Sequence, residues 1–117
     1  PYTTLFRSTK EKAIGSHLAG LKRKQALVAG CETDVCVLQS CLGLLSLDYE
    51  VFVVEELIFS SARNTDAAIA RMQAEGVIFI SYKTLYYELI QAVDGNPHGD
   101  KMRRAYGPFP DDLPDAL

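Results

Sequence analysis

The chain is poor in the features that usually announce a partner. No apolar run approaches the ~20 residues needed to span a bilayer, and no secretory signal pattern is present. Basic residues are scarce: 12 Lys and Arg face 15 Asp and Glu, and Lys22-Arg23-Lys24 is the only compact basic cluster. It reads as a solvated helix end, so neither a nucleic acid nor a membrane is expected as a partner. There are only two histidines, His17 and His98, and neither stands at ligand spacing to a cysteine, so no metal site and no cofactor is expected. Internal repeats and low-complexity segments are lacking. The three cysteines, Cys31, Cys36 and Cys41, are an odd set at five-residue intervals. This fits a reducing cytoplasm better than a disulfide scaffold.

What remains is a chain of 117 residues, 48% hydrophobic and 23% charged, with a net charge of −3. That is the composition of one modest soluble globular domain, although the length is short for a doubly wound enzyme.

The most informative stretch is Gly30-Cys31-Glu32-Thr33-Asp34-Val35-Cys36-Val37. It follows Gln25 to Ala29, which reads as a short buried strand, and it enters a helix from Val35 to Leu47 with Leu38, Cys41, Leu42 and Leu45 on one face. Cys36 is thereby placed in a first helical turn. Free N–H groups and the positive end of the helix dipole favour a thiolate there and offer donors to an oxyanion. Cys36 is the candidate nucleophile; the competing reading is a small buried hydrophobe at a helix start. Cys31 and Cys41 read as packing residues, with a Cys31–Cys36 redox pair left open. Thr33 and Asp34 are expected to cap the helix. Glu32 either points into a pocket to select a polar substrate or lies exposed.

Around this core the pattern alternates. A helix is predicted from Ala13 to Leu21 with Ile14, Leu18 and Leu21 on one face, then the strand at Ala26, the motif helix, and a second strand at Val51-Phe52-Val53-Val54. A helix capped by Asn64 runs to Glu75, with Ala68, Ile69 and Met72 inward and Gly76 as its stop; Arg63, Asp66 and Arg71 read as its solvated face. A strand at Val77 to Ile80 precedes a last helix with Leu85, Leu89 and Ile90 inside, and Tyr82, Tyr86 and Tyr87 read as core or interface aromatics. The βαβα order predicts right-handed crossovers and a parallel sheet. From Asp94 the Gly, Asn and Pro content predicts an irregular tail over 94–117, with at most one helical turn at Lys101 to Tyr106; Phe109 and Leu113 could dock on a neighbouring subunit.

The run L-V-A-G-C-E-T-D-V-C-V-L-Q-S, with E-V-F-V-V and S-A-R-N-T-D-A-A-I-A-R-M-Q-A-E-G after it, resembles the second half of the isochorismatase-like cysteine hydrolases, which include nicotinamidases and N-carbamoyl amidohydrolases. The resemblance covers Ala13 to Val93 and is specific at the Gly-x-x-Thr-x-x-Cys-Val core. It implies a three-layer α/β/α Rossmann-like parallel sheet of which only the second half, about three strands, is present, residues 9–93 being a partial hydrolase domain. It also implies a triad in which an Asp and a Lys join the cysteine. Neither has a matching position here, and the role is not transferred to Lys10 or Lys12. On the order of 80–100 residues of strands and crossovers would be missing, at ~30 per βαβ unit, leaving a fragment inactive alone.

For the whole protein the resemblance implies acyl transfer to Cys36, with backbone N–H groups of Glu32 and Cys36 as the oxyanion hole and a non-proline cis peptide between Cys31 and Glu32. Family members that cleave a vinyl ether lack this cysteine, so a small-molecule substrate with an amide, carbamoyl or ureido C–N bond is expected, handled by a homo-oligomer at full length. The competing class is a non-catalytic α/β binding module or inactive partner subunit. A flavodoxin-like phosphate binder is disfavoured by the single glycine in the loop after Val28. Finally, Pro1-Tyr2-Thr3-Thr4-Leu5-Phe6-Arg7-Ser8 matches the conceptual translation of the end of a common sequencing adapter, so residues 1–8 are expected to be an artefact rather than protein.

Overall fold

The computed structural model describes residues 12–90 and 97–107. The adapter-like residues 1–8, and the tail residues Phe109 and Leu113, lie outside them. Three parallel strands, β1 (Gln25–Cys31), β2 (Glu50–Phe59) and β3 (Ile78–Ile80), form one sheet in the order β1-β2-β3, with helices flanking it. This is an α/β Rossmann-like arrangement. The helices are α1 (Lys12–Gly20), α2 (Leu38–Ser46), α3 (Asp66–Glu75), α4 (Tyr82–Ile90) and α5 (Pro97–Tyr106), and a π-helical turn, Thr33–Val37, runs directly into α2. No helix among the described residues is long and apolar enough to cross a membrane.

β2 is the centre because it is the strand with neighbours on both sides. Its β-branched run suits a doubly covered position. Val51 and Val53 point to one face and are fully buried in a cluster with Leu38, Cys41, Leu44, Ala68 and Met72, supplied by α2 and α3. Val54 points to the other face and is fully buried as well. The ladder between β1 and β2 starts at Gln25, which faces Glu50 and donates its side-chain amide to that carboxylate at 2.9 Å. It continues through Val28 and Val53, then shifts register before Gly30 meets Ile58 and Cys31 meets Phe59. β2 therefore runs beyond the expected Val51–Val54.

α3 ends where expected. Gly76 adopts φ +107°, a left-handed conformation that glycine enters without a Cβ penalty, and its N–H and that of Val77 return to the Gln73 and Met72 carbonyls. At the other end the Asn64 side chain accepts the Asp66 N–H at 2.8 Å, one residue before the helix junction at Thr65.

Four expectations need correction. β1 is not a buried strand: its residues alternate between exposed and half-buried and Leu27 is 53% exposed, since among the described residues β1 lies at the edge of the sheet. The apolar stripe of α1 is not buried: Ile14 and Leu21 are exposed, Leu18 is half-buried, and the helix has no fully buried residue. It is held instead by the Tyr49 hydroxyl, which donates to the Leu18 carbonyl, while Lys24 sits 5.0 Å over the Tyr49 ring. On α4, Leu89 is 58% exposed rather than inward. A nine-residue helix over a three-stranded sheet has too little cover for so wide an apolar face. Residues 97–106 of the expected irregular tail form helix α5. Proline breaks a helix interior but suits its first position, and Asp100 in the first turn with Arg103 and Arg104 in the last complements the helix dipole. An Arg103–Asp100 ion pair at 3.3 Å and a Tyr86 hydroxyl bonded to the Gly107 carbonyl at 3.2 Å fasten α5 and its end.

Candidate functional site

β1 delivers its last residues to the carboxyl edge of the sheet, where ligands of open α/β folds bind. Gly30 has φ +113°, and the peptide between Cys31 and Glu32 is cis. The chain then enters the π turn rather than a regular helix. The Glu32 carbonyl accepts from Val35 N–H at 3.2 Å and from Val37 N–H at 3.0 Å. It thus passes over Cys36, whose N–H would be its partner in a regular α-helix. Single π turns of this kind recur at functional sites because they free or redirect one backbone group. Cys36 itself is half-buried.

The three cysteines separate by environment. Cys31 is exposed, which corrects its reading as a packing residue, because the last position of β1 has no helix over it. Cys41 is fully buried in α2, and burial pushes its thiol up to about 11. All three are free thiols.

The capping role expected of Thr33 and Asp34 is not seen. Neither the π turn nor α2 has a side-chain cap. Thr33 is 3% exposed and packs under the turn, while the Asp34 carboxylate accepts the Ser60 hydroxyl at 2.6 Å. Glu32 takes neither course considered for it. Its carboxylate accepts the Ser61 N–H at 2.7 Å, the Ser61 hydroxyl at 2.9 Å and the Ser60 hydroxyl at 3.1 Å. The Ser61 backbone bond, then the two serine hydroxyls, hold the Glu32 carboxyl below the usual glutamate value against the opposing effects of burial and of Asp34. Ser60 and Ser61 are the site residues that sequence reasoning missed. The signal for them is positional: they follow β2 immediately, at the same sheet edge as the motif.

A cleft of about 730 Å³ opens at this edge between the end of β2, the loop after it and the start of α3. Ile58, Phe59, Ile69 and Phe79 give it an apolar wall, with Arg63 and Asn64 at its polar side. Thr33 and Ser60 also line it, but Cys36 does not. Among the described residues no three His, Cys, Asp or Glu side chains converge on a metal-sized site.

Comparison with known proteins places these features. The family model described as the isochorismatase domain matches residues 4–84. A secreted isochorismatase effector of Phytophthora sojae is 39% identical over 77 residues, covering 65% of this chain and 36% of that protein. Isochorismatase family protein 2A of Dictyostelium discoideum is 34% identical over 97 residues, covering 80% of this chain and 47% of its own length. Isochorismatase domain-containing protein 2 of Rattus norvegicus is 38% identical over 69 residues, covering 58% of this chain and 33% of its own length. The chain thus spans between a third and a half of the curated relatives it matches. No solved structure gives a significant match.

Proposed function

Since the chain belongs to the isochorismatase family, and so to a group of hydrolases, we propose that it carries the nucleophile of a cysteine hydrolase acting on the C–N bond of a small amide, carbamoyl or ureido substrate. The observation that carries this reading is the turn itself. A half-buried thiol stands at the carboxyl edge of a parallel sheet, and the Cys36 N–H beside it is passed over by the Glu32 carbonyl.

In the reaction, the Cys36 sulfur forms a bond to the carbonyl carbon, and its proton passes to a base supplied by the remainder of the protein. The Glu32 and Cys36 N–H groups receive the developing oxyanion, a type of contact whose loss costs ~3–4 kcal/mol of barrier. As the intermediate collapses, the C–N bond breaks and the base returns the proton to the leaving amine. Water then cleaves the thioester, releasing the acid and restoring the thiol. In this reading the Asp and Lys of the family's triad come from the rest of the protein, and turnover is expected of the whole protein. A homo-oligomeric whole protein in reducing surroundings belongs to the same reading, and three unpaired thiols are compatible with it.

A second reading, a non-catalytic binding module, draws on the cleft, whose lining omits Cys36. Competitive labelling separates the two. With iodoacetamide at neutral pH on the whole protein, where the base is present, and mass spectrometry by site, exposure alone ranks Cys31 first, Cys36 second and Cys41 last. A nucleophile at position 36 reverses the first two. If Cys31 labels ahead of Cys36, the hydrolase reading falls and the binding module replaces it.

A further inference from the structure

We infer that Ser60 and Ser61, in the loop after β2, are positioning residues that hold the turn presenting Cys36. The consequence for chemistry rests on the proposed role of Cys36; the mechanical part does not.

Glu32 is used at both its main chain and its side chain. Its carbonyl takes the Val35 and Val37 N–H groups and so forms the frame of the π turn. Its carboxylate takes donors from the loop after β2. Ser60 has one hydroxyl proton and two carboxylate oxygens within reach, Asp34 at 2.6 Å and Glu32 at 3.1 Å. The shorter contact assigns that proton to Asp34. Ser61, with a backbone and a hydroxyl donor at 2.7 and 2.9 Å, is then the anchor of Glu32. Ser60 in turn accepts the Ala62 N–H at 3.0 Å, which keeps its proton directed at the carboxylate.

The division of labour pins the chain on both sides of Thr33, which is itself buried, with 3% exposure. A turn fixed at Glu32 and Asp34 leaves Cys36 little freedom to swing, and it fixes the direction of the Glu32 N–H. Charge-assisted bonds are the stronger class, which suits a tie made at a partly solvated edge. The lowered protonation range of Glu32 is in keeping with that tie.

The test combines hydrogen exchange with competitive labelling on a Ser60→Ala, Ser61→Ala double variant and on its rescue, Ser60→Thr with Ser61→Thr. Expected are a rise of roughly fivefold or more in exchange at the Val35 and Val37 amides, the size of one lost hydrogen bond, and loss of any Cys36 labelling advantage. Val53 and Val54 amides should stay protected, and threonine should restore the turn. Unchanged exchange at Val35 and Val37 overturns the inference. Should the double variant unfold, Ser61→Ala alone decides: loosening confined to the turn supports it, and loosening spread over the sheet overturns it. If wild-type Cys36 shows no labelling advantage, the hydrolase reading fails while the exchange readout still decides the positioning role.

Discussion

Met72 and Leu89 occupy equivalent places in a periodicity argument, each an apolar residue on the inward stripe of a short helix, yet their environments are opposite. Met72 is 0% exposed and packs in the cluster with Val51, Val53 and Cys41, whereas Leu89 is 58% exposed on α4. Met72→Ala removes a fully buried side chain from a site walled by sheet and helix, where collapse is limited, and should cost ~2–5 kcal/mol. For a domain of this size that is a large share of a total stability of ~5–15 kcal/mol. With a urea slope of ~1–3 kcal/mol/M, the unfolding midpoint should fall by roughly 1–3 M. Leu89→Ala deletes a side chain that is mostly exposed and should stay within about 0.5 kcal/mol of wild type. Urea titrations of both variants, followed by circular dichroism at the same slope, make the comparison. Equal midpoint shifts would refute the reasoning, since Leu89 would then be covered by something the isolated fold does not supply.

Two further outcomes follow from the contacts of the fold. Tyr49→Phe keeps the ring beneath Lys24 but removes the donor to the Leu18 carbonyl, so exchange should rise by about one hydrogen bond's worth, ~1 kcal/mol, across α1 only; a rise throughout the sheet would contradict the view that α1 hangs on this contact. For Glu32 the folded carboxyl titrates below its ordinary value of 4.5. The folded state then binds fewer protons than the unfolded state in that window. The contribution is therefore fully present above 4.5 and is lost as pH falls through the lowered value. Urea midpoints measured from about pH 6 down to pH 3, spanning the carboxylate range, should show this acid loss in wild type and a flatter curve in Glu32→Gln; parallel curves would remove Glu32 as its source.

Much of the sheet was legible because buried parallel strands have a local signature. Val51 to Val54 and Val77 to Ile80 are apolar on every residue, the mark of a strand in a parallel sheet; the first run is buried as that mark implies, whereas Ile78 in the second is 40% exposed. Gly76 was legible as a stop because the left-handed conformation favours glycine. The π turn was not, since Thr33, Asp34 and Val35 carry no periodic mark distinguishing it from a regular first turn. Nor was the partner of Glu32: a carboxylate's donors depend on which residues another strand brings alongside, and Ser61 lies 29 positions away. Helix α5 does not show in composition, because the Gly, Asn and Pro content from Asp94 onward reads as irregular whereas Pro97 stands at the helix's first position.

The register shift between β1 and β2 sets which residue faces the turn. From Gln25 to Val28 the partners lie 25 positions downstream, whereas at Gly30 and Cys31 they lie 28 downstream. Carried one step further, the second spacing puts Ser60 opposite Glu32, with Ser61, the donor to its carboxylate, next in line; the first would have put Leu57 and Ile58 there, with no side-chain donor to offer. The slack in β2 therefore works as a gear change between two needs of one strand. Its early part is phased to bury valines, and its end is phased to meet a carboxylate. Removing three residues from Glu55 to Leu57 would close the slack and carry the first spacing straight through to Ser60, so these residues are a detour of the strand outside the ladder, and Glu55, which lines the cleft, stands on that detour.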